Sequence, residues 1–376
     1  MMKKRVMDQA GRFENSPLLP QRVKSGSIPG FALLSLRSRN HARSAFHTVF
    51  STPSLILFIL IIFICFLGAS LFSTIGFSSL QVEKKELEGR LSISGAWALY
   101  PMAIKWAEEF QKIYPKVTID VQAGGAGKGM ADVLAGMVDI GSISRGIYQA
   151  EVSKGAFAIA VTKDAVVPTI SERNPCLAEL LKRGVRREQF VDIWITKKIK
   201  TWGQILGTDE KAPIHVYTRS DACGAAETWA EFLGKKQEDF EGTGVYGDPG
   251  LADAVRRDPL GIGYNNINYA YDAKSKRAVK GIMILPLDLD ESGWIEGDEN
   301  FYGTRDEVIQ AIAQDIYPSP PARELFFVTK DKPKTQLLIE FIKWVLTEGQ
   351  KFVPETGYIR LSQRKLGEGL EKIGEK

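Results

Sequence analysis

The sequence predicts an α/β protein of two lobes preceded by one transmembrane helix, and three observations carry that expectation. From about residue 90 onward, short apolar runs alternate with amphipathic segments. The chain has 376 residues, 44% hydrophobic and 25% charged, and the roughly 300 residues of alternating pattern suit two cores better than one. One uncharged stretch, Leu55 to Phe77, at about 23 residues and 1.5 Å per residue, is long enough to cross the ~30 Å core of a bilayer.

Taken in order, residues 1–51 form a basic cytoplasmic tail, 52–77 the membrane anchor or signal segment, 78–89 a charged linker and 90–376 the folded body. Lys3, Lys4, Arg5, Arg12, Arg22, Lys24, Arg37, Arg39 and Arg43 precede the apolar stretch and predict that its N-terminal side stays in the cytoplasm, with the body extracytoplasmic. The leader and apolar core exceed those of an ordinary signal peptide, which favours an uncleaved anchor. Gly68-Ala69-Ser70 still offers a cleavage site, after which the body would be secreted. Within the body, a strand at Leu91–Ser94 leads into a helix over Leu99–Tyr114, with Pro101 in its first turn and Ile104, Ala107, Phe110 and Gln111 at helical spacing. A strand at Val117–Gln122, a glycine loop at 124–129, a helix over 130–136 and a strand at 138–141 complete a βαβαβ run. Further strands are expected at 214–218, 261–264 and 325–329, and helices at 225–233 and 334–349.

Composition excludes several classes. The net charge of +4 belongs to the tail, and from residue 50 on there are 40 basic against 43 acidic side chains, so no broad nucleic-acid-binding surface is expected. Three cysteines, Cys65, Cys176 and Cys223, cannot form a disulfide scaffold and lack zinc spacings. His215 is the one histidine of the body, too little for a triad or a multi-histidine metal site, and no metal or cofactor is expected.

Three strand-to-helix junctions place small residues before a helix: Ser94-Gly-Ala-Trp97, Ala123-Gly-Gly-Ala-Gly-Lys-Gly129 and Arg219-Ser-Asp-Ala-Cys-Gly-Ala225. Backbone N–H groups at such ends favour an anion, although such junctions are also ordinary connections. Two nucleotide motifs fail: Gly127-Lys128 is followed by Gly129 rather than Ser or Thr, and Met130 stands where GxGxxG needs its last glycine. Lys128 is expected at the loop edge, facing solvent.

From residue 90 to about 362 the chain resembles the phosphate-binding proteins of ABC importers (PstS type) in the periplasmic solute-binding superfamily. Ser94 to Pro101 is similar to that family's first binding loop, QAGGAGKGM and Val138 to Gly146 to its second and third, and Arg219 to Ala225 to its Arg-x-x-Gly-Ser-Gly-Thr turn. Gly261-Ile-Gly-Tyr264 and the segment Tyr317 to Tyr358 match its later landmarks.

The resemblance implies a two-lobe periplasmic-binding-protein fold closing about a hinge, with crossings near Val166–Ile170 and Asn268–Lys274. Lobe 1 would then comprise 90–166 and 273–376, and lobe 2 167–272. It implies a ligand site built from Ser94, Gly95, Ala96, Trp97, Ala126, Gly127, Ser144, Arg145, Arg219, Cys223, Gly224 and Ala225. The family grips phosphate largely with hydroxyls, whereas this chain has Ala96, Trp97, Ala98, Ala126, Cys223 and Ala225 at the corresponding positions. Backbone, Ser94, Ser144 and the two arginines are what is left to hold an oxyanion. A basic residue at 145 favours a fully charged anion or an organic acid, or else forms a salt bridge, as Arg219 also could. Cys223 would line the pocket, pair with Cys176 or act as a reactive thiol. The implied function is capture of an oxyanion, phosphate first, for delivery to an ABC permease, without catalysis. A membrane-tethered ligand sensor with the same fold is the alternative.

Overall fold

The computed structural model describes residues 86–375. The basic tail, the predicted span 52–77 and Cys65 lie outside the described residues; no helix among the described residues is long and apolar enough to cross a membrane.

Nine strands form one sheet: β1 Gly89–Gly95, β2 Val117–Ala123, β3 Ile140–Ile143, β4 Ala156–Ser171, β5 His215–Arg219, β6 Thr243–Val245, β7 Gly261–Asn266, β8 Ile282–Ile284 and β9 Ala322–Lys330. Their order is β2-β1-β3-β9-β4-β7-β5-β6, with β8 on β4. The expected βαβαβ run is present, with β1 parallel to both β2 and β3. Its helices run from Tyr100 to Ile113 and from Ala126 to Leu134. The first begins with Pro101 as expected, but it buries Met102, Ala103, Trp106, Ala107 and Phe110, a face rotated from the predicted one, because Trp106 reaches inward to donate to the Gly349 carbonyl at 2.9 Å. The second starts four residues earlier than expected, so four of the six residues of the glycine loop form its first turn.

The strand β4 sets the division into lobes. Over Ala156–Ala165 it pairs antiparallel with β9, and from Val166 it pairs with β7 and then β8. Two hydrophobic cores lie on either side of that switch. One is built on β1, β2, β3, β9 and the first half of β4, where Phe110, Phe341 and Trp344 meet edge to face at 5.1 and 5.5 Å. The other surrounds Phe190, Trp194, Trp229 and Tyr264.

The first expected crossing, at Val166–Ile170, coincides with this switch. The second does not fall at Asn268–Lys274. Tyr271, Ile284, Leu287, Tyr302, Val308 and Tyr317 all pack in the second core, because β8 pairs with β4 there, and the chain returns to the first core only as it enters β9.

Where β4 and β9 meet at the switch, Arg323 donates from Nε to Asp164 at 3.0 Å, both groups being buried. Burial, opposed by Arg323, raises the Asp164 carboxyl to about 6. A carboxyl raised on folding contributes stability that is full below its unfolded value of about 4 and is lost as pH climbs through about 6. Asp164→Asn abolishes that titration. In urea melts, wild type should therefore lose stability relative to the variant between about pH 4 and pH 6, and a difference independent of pH would contradict the raised carboxyl.

Candidate functional site

The three junctions singled out from sequence meet across the cleft between the lobes. At the end of β1, Ala96 donates its N–H to Ser142 O at 2.8 Å, and Gly124 and Gly125 both donate to Gly95 O at 2.9 Å, tying the first two loops together. Gly125, with φ of +93°, caps the helix that begins at Ala126. The third junction follows β5. Its start is fixed by the second core: the Tyr264 hydroxyl lies 2.8 Å from Thr218 Oγ1 and accepts the Arg219 N–H at 3.2 Å.

The lobes touch directly through small residues. Gly127 donates to Ala222 O at 3.1 Å. A Cβ on Gly224 would lie 2.1 Å from Ser144 O, and one on Gly125 would lie 3.0 Å from both Ala222 O and Asp221 Oδ2. Around this seam, Tyr269 donates to Trp97 O at 3.0 Å and Tyr148 donates to Glu227 at 2.7 Å. The Trp97 ring packs against Gly247 and stands edge-on to Tyr246 at 6.3 Å. Ser94, Gly95, Ala96, Trp97, Ala126, Gly127, Ser144, Cys223, Gly224 and Ala225 are thus all on the loops that form or flank the seam.

The two arginines are committed to carboxylates. Arg219 is sealed from solvent, forks onto Asp221 at 2.8 and 2.6 Å, and donates from Nη1 to Asp248 at 2.6 Å. Burial opposes its charge, but Asp248 and Asp221 outweigh burial and hold the guanidinium above its ordinary value. Arg145 forks onto Glu151 at 3.0 and 2.6 Å and lies 4.2 Å from the Tyr148 ring centre. It therefore forms the salt bridge rather than presenting a free fork, and the expectation of a fully charged anion loses its basis. Ser94 donates to Asp132 at 2.6 Å; Lys128 is exposed, as expected, while it also donates to Ser94 at 3.0 Å and to Asp132.

Cys176 and Cys223 are both free thiols, so the disulfide alternative does not hold. Burial pushes the Cys223 thiol up to about 12, which removes the reactive-thiolate alternative; its Sγ instead accepts the Ala226 N–H at 3.4 Å as a helix cap. His215 contacts Asp258 at 2.7 Å at the start of β5, outside the seam.

Sequence reasoning missed the acidic lining. Asp248, in the first turn of helix Gly247–Arg257, accepts from Arg219 with one oxygen and from Asn266 Nδ2 at 2.8 Å with the other. Arg323 donates to Asn266 and, at 2.6 Å, to Gly224 O, so one buried chain of contacts runs from Asp164 at the strand switch to Asp221 in the third loop. Asp221 sat inside a recognised motif; Asp248 carried no local signal. The fixed charges along the cleft sum to no positive excess, so an anion held there would need the backbone N–H groups at the starts of helices Ala126–Leu134 and Gly224–Phe232.

Residues 82–348 match the family model of a PBP superfamily domain. The chain is 26% identical over 313 residues to the phosphate-binding protein PstS of Pseudomonas aeruginosa, covering 77% of this chain and 88% of that one. It is 25% identical to the phosphate-binding protein PstS of Methanocaldococcus jannaschii, covering 81% and 91%. Its fold resembles that of a phosphate ABC transporter substrate-binding protein from Clostridium perfringens with bound phosphate, with a TM-score of 0.60 at 23% identity, covering 73% of this chain and all of that one. An ABC-type phosphate transport receptor from Vibrio cholerae gives 0.54 at 19% identity, covering 72% and 100%. These relatives are solute-binding proteins of transporters, not enzymes. With most of its folded body matched, and with the two-lobe α/β architecture and cleft described above, the chain belongs to the PBP superfamily.

Proposed function

We propose that this chain is the extracytoplasmic substrate-binding component of an ABC-type importer and that its ligand is an oxyanion, phosphate first. The observation that carries this reading is the meeting of three small-residue, strand-to-helix junctions at one inter-lobe seam, with the buried Arg219 at its wall. Closure of two lobes converts occupancy into a shape that a permease can distinguish. The relatives named for phosphate binding support the ligand class.

The acidic lining sharpens the choice of anion. Asp221 Oδ2 comes within 3.0 Å of the position a Gly125 Cβ would take, which puts a carboxylate acceptor at the seam. Such an acceptor can take a hydrogen bond from the P–OH of HPO₄²⁻ or H₂PO₄⁻, whereas fully ionised sulfate has no hydrogen to donate and would meet a like charge. The reading is therefore phosphate in preference to sulfate, molybdate or tungstate.

A second reading, a membrane-tethered sensor, draws support from the commitment of both arginines to carboxylates, an arrangement that stabilises a fixed shape as readily as it binds a ligand. Deleting residues 1–49 while keeping the apolar stretch separates the two readings: uptake should survive under the first, and signalling should be lost under the second.

Calorimetry of residues 82–376 against phosphate, sulfate, molybdate, tungstate and small carboxylates tests the ligand. Phosphate should bind at about micromolar Kd or tighter, and sulfate at least about 100-fold more weakly. Response to a different anion alone would overturn phosphate, and silence throughout would overturn the oxyanion reading. Arg219→Ala should weaken phosphate by more than about tenfold. Gly224→Ala, whose methyl must displace Ser144, should weaken it comparably while leaving each lobe folded by circular dichroism; an unchanged affinity would show that the seam does not close on the ligand.

A further inference from the structure

Between β8 and the helix Arg305–Ala313, the chain makes a loop that shares no residue with the cleft. Residues 288–299 read Asp-Leu-Asp-Glu-Ser-Gly-Trp-Ile-Glu-Gly-Asp-Glu. Acids stand first and third, Ser292 fifth, Gly293 sixth, an apolar Ile295 eighth and Glu299 twelfth, which is the spacing of a twelve-residue calcium loop apart from Ser in place of Asp or Asn at the fifth position. The chemistry needs that order. Side-chain oxygens come from the first, third and fifth residues and a carbonyl from the seventh, glycine makes the sharp bend, and the twelfth glutamate closes the shell with both oxygens.

The folded loop brings these groups together. Asp288, Asp290 and Glu299 each place a carboxylate oxygen within 4.8 Å of the others, and Gly293 bends the chain at φ of +78°. Asp288 is 5% exposed, and its Oδ1 is buried with no hydrogen-bond partner, while Oδ2 accepts the Gly293 N–H at 3.1 Å. A buried, unpartnered carboxylate oxygen beside two further carboxylates is costly unless a cation takes it up. None of the three forms a salt bridge among the described residues.

The loop is also held from outside. Ile295 donates to Lys182 O at 2.9 Å, in the helix Leu177–Arg183, and Asp288 donates its N–H to Val185 O at 3.2 Å, just past that helix's end. Leu289 and Asp290 donate to Glu299 Oε1 at 2.7 and 3.0 Å, which aims the glutamate into the cluster.

We propose that residues 288–299 of the second lobe form a divalent-cation site selective for Ca²⁺, with Asp288, Asp290, Ser292, Glu299 and the Trp294 carbonyl as ligands. Three carboxylates and a flexible backbone ring suit the six to eight oxygens of Ca²⁺ better than the small octahedron of Mg²⁺. The cation would replace the Ser292-to-Trp294 hydrogen bond, now 2.9 Å, by drawing both oxygens onto itself. The proposal does not depend on the identity of the transported ligand.

The test is titration of Ca²⁺, Mg²⁺ and Tb³⁺ into the chelator-treated full chain in detergent micelles. One Ca²⁺ per chain should bind with a Kd of about 10⁻⁴ to 10⁻³ M or tighter, and Mg²⁺ at least about tenfold more weakly. Tb³⁺ should luminesce under tryptophan excitation through Trp294, and Trp294→Phe should remove most of that emission while keeping the Ca²⁺ heat. Glu299→Gln and Asp290→Asn should each weaken Ca²⁺ by about tenfold or more. Asp290 is exposed, so its variant keeps the test valid if the Glu299 variant misfolds. No Ca²⁺ heat up to about 10 mM, or affinity unchanged in a folded Asp290→Asn variant, would overturn the site.

Discussion

The cleft depends on a buried relay of charges. Arg219 cannot sit sealed from water without opposite charge, and Asp221 and Asp248 supply it; Asp248 is in turn held by Asn266, and Asn266 by Arg323, which also grips Asp164 and the Gly224 carbonyl. Removing one partner of such a pair leaves a buried charge uncompensated and costs on the order of 3–5 kcal/mol. The relay begins where β4 and β9 meet at the strand switch and ends in the loop that follows β5. The strand switch and that loop therefore share one set of contacts, and a shift in one must be accommodated by the other.

Small residues are the second constraint. The first two loops, Gly95 through Gly127, meet the third, Ala222 to Ala225, at backbone-to-backbone distance, as the Gly127-to-Ala222 bond shows. Small side chains at Gly95, Ala126, Gly127, Gly224 and Ala225 leave little but backbone facing the seam. Under the proposed function, recognition would rest on oriented N–H groups and on carboxylate acceptors, a combination able to discriminate by protonation state rather than by charge alone.

Much of this architecture was legible in the sequence because it is local. The βαβαβ run follows from alternating apolar runs and from Pro101 at a helix start. What was not legible is long-range. Whether Arg145 faces a ligand or Glu151 depends on how the short helix at Gln149–Val152 turns, and no spacing rule reports that. Asp248 reaches Arg219 from 29 residues away, and Arg323 reaches Asp164 from 159. The return crossing was misplaced because the strand Ile282–Ile284 has only three residues, too short a pattern to show that it pairs with β4. The acidic loop at 288–299 did carry a local signal, its calcium-loop spacing, which a search confined to cysteine and histidine passes over.

The central claim is that an oxyanion draws the two lobes together at the seam of glycines and alanines. Small-angle X-ray scattering of residues 82–376 with and without saturating phosphate tests it most directly. The account predicts a smaller radius of gyration with phosphate, and predicts that Gly224→Ala abolishes the change. Identical scattering with and without phosphate, in protein shown by calorimetry to bind it, would contradict the account.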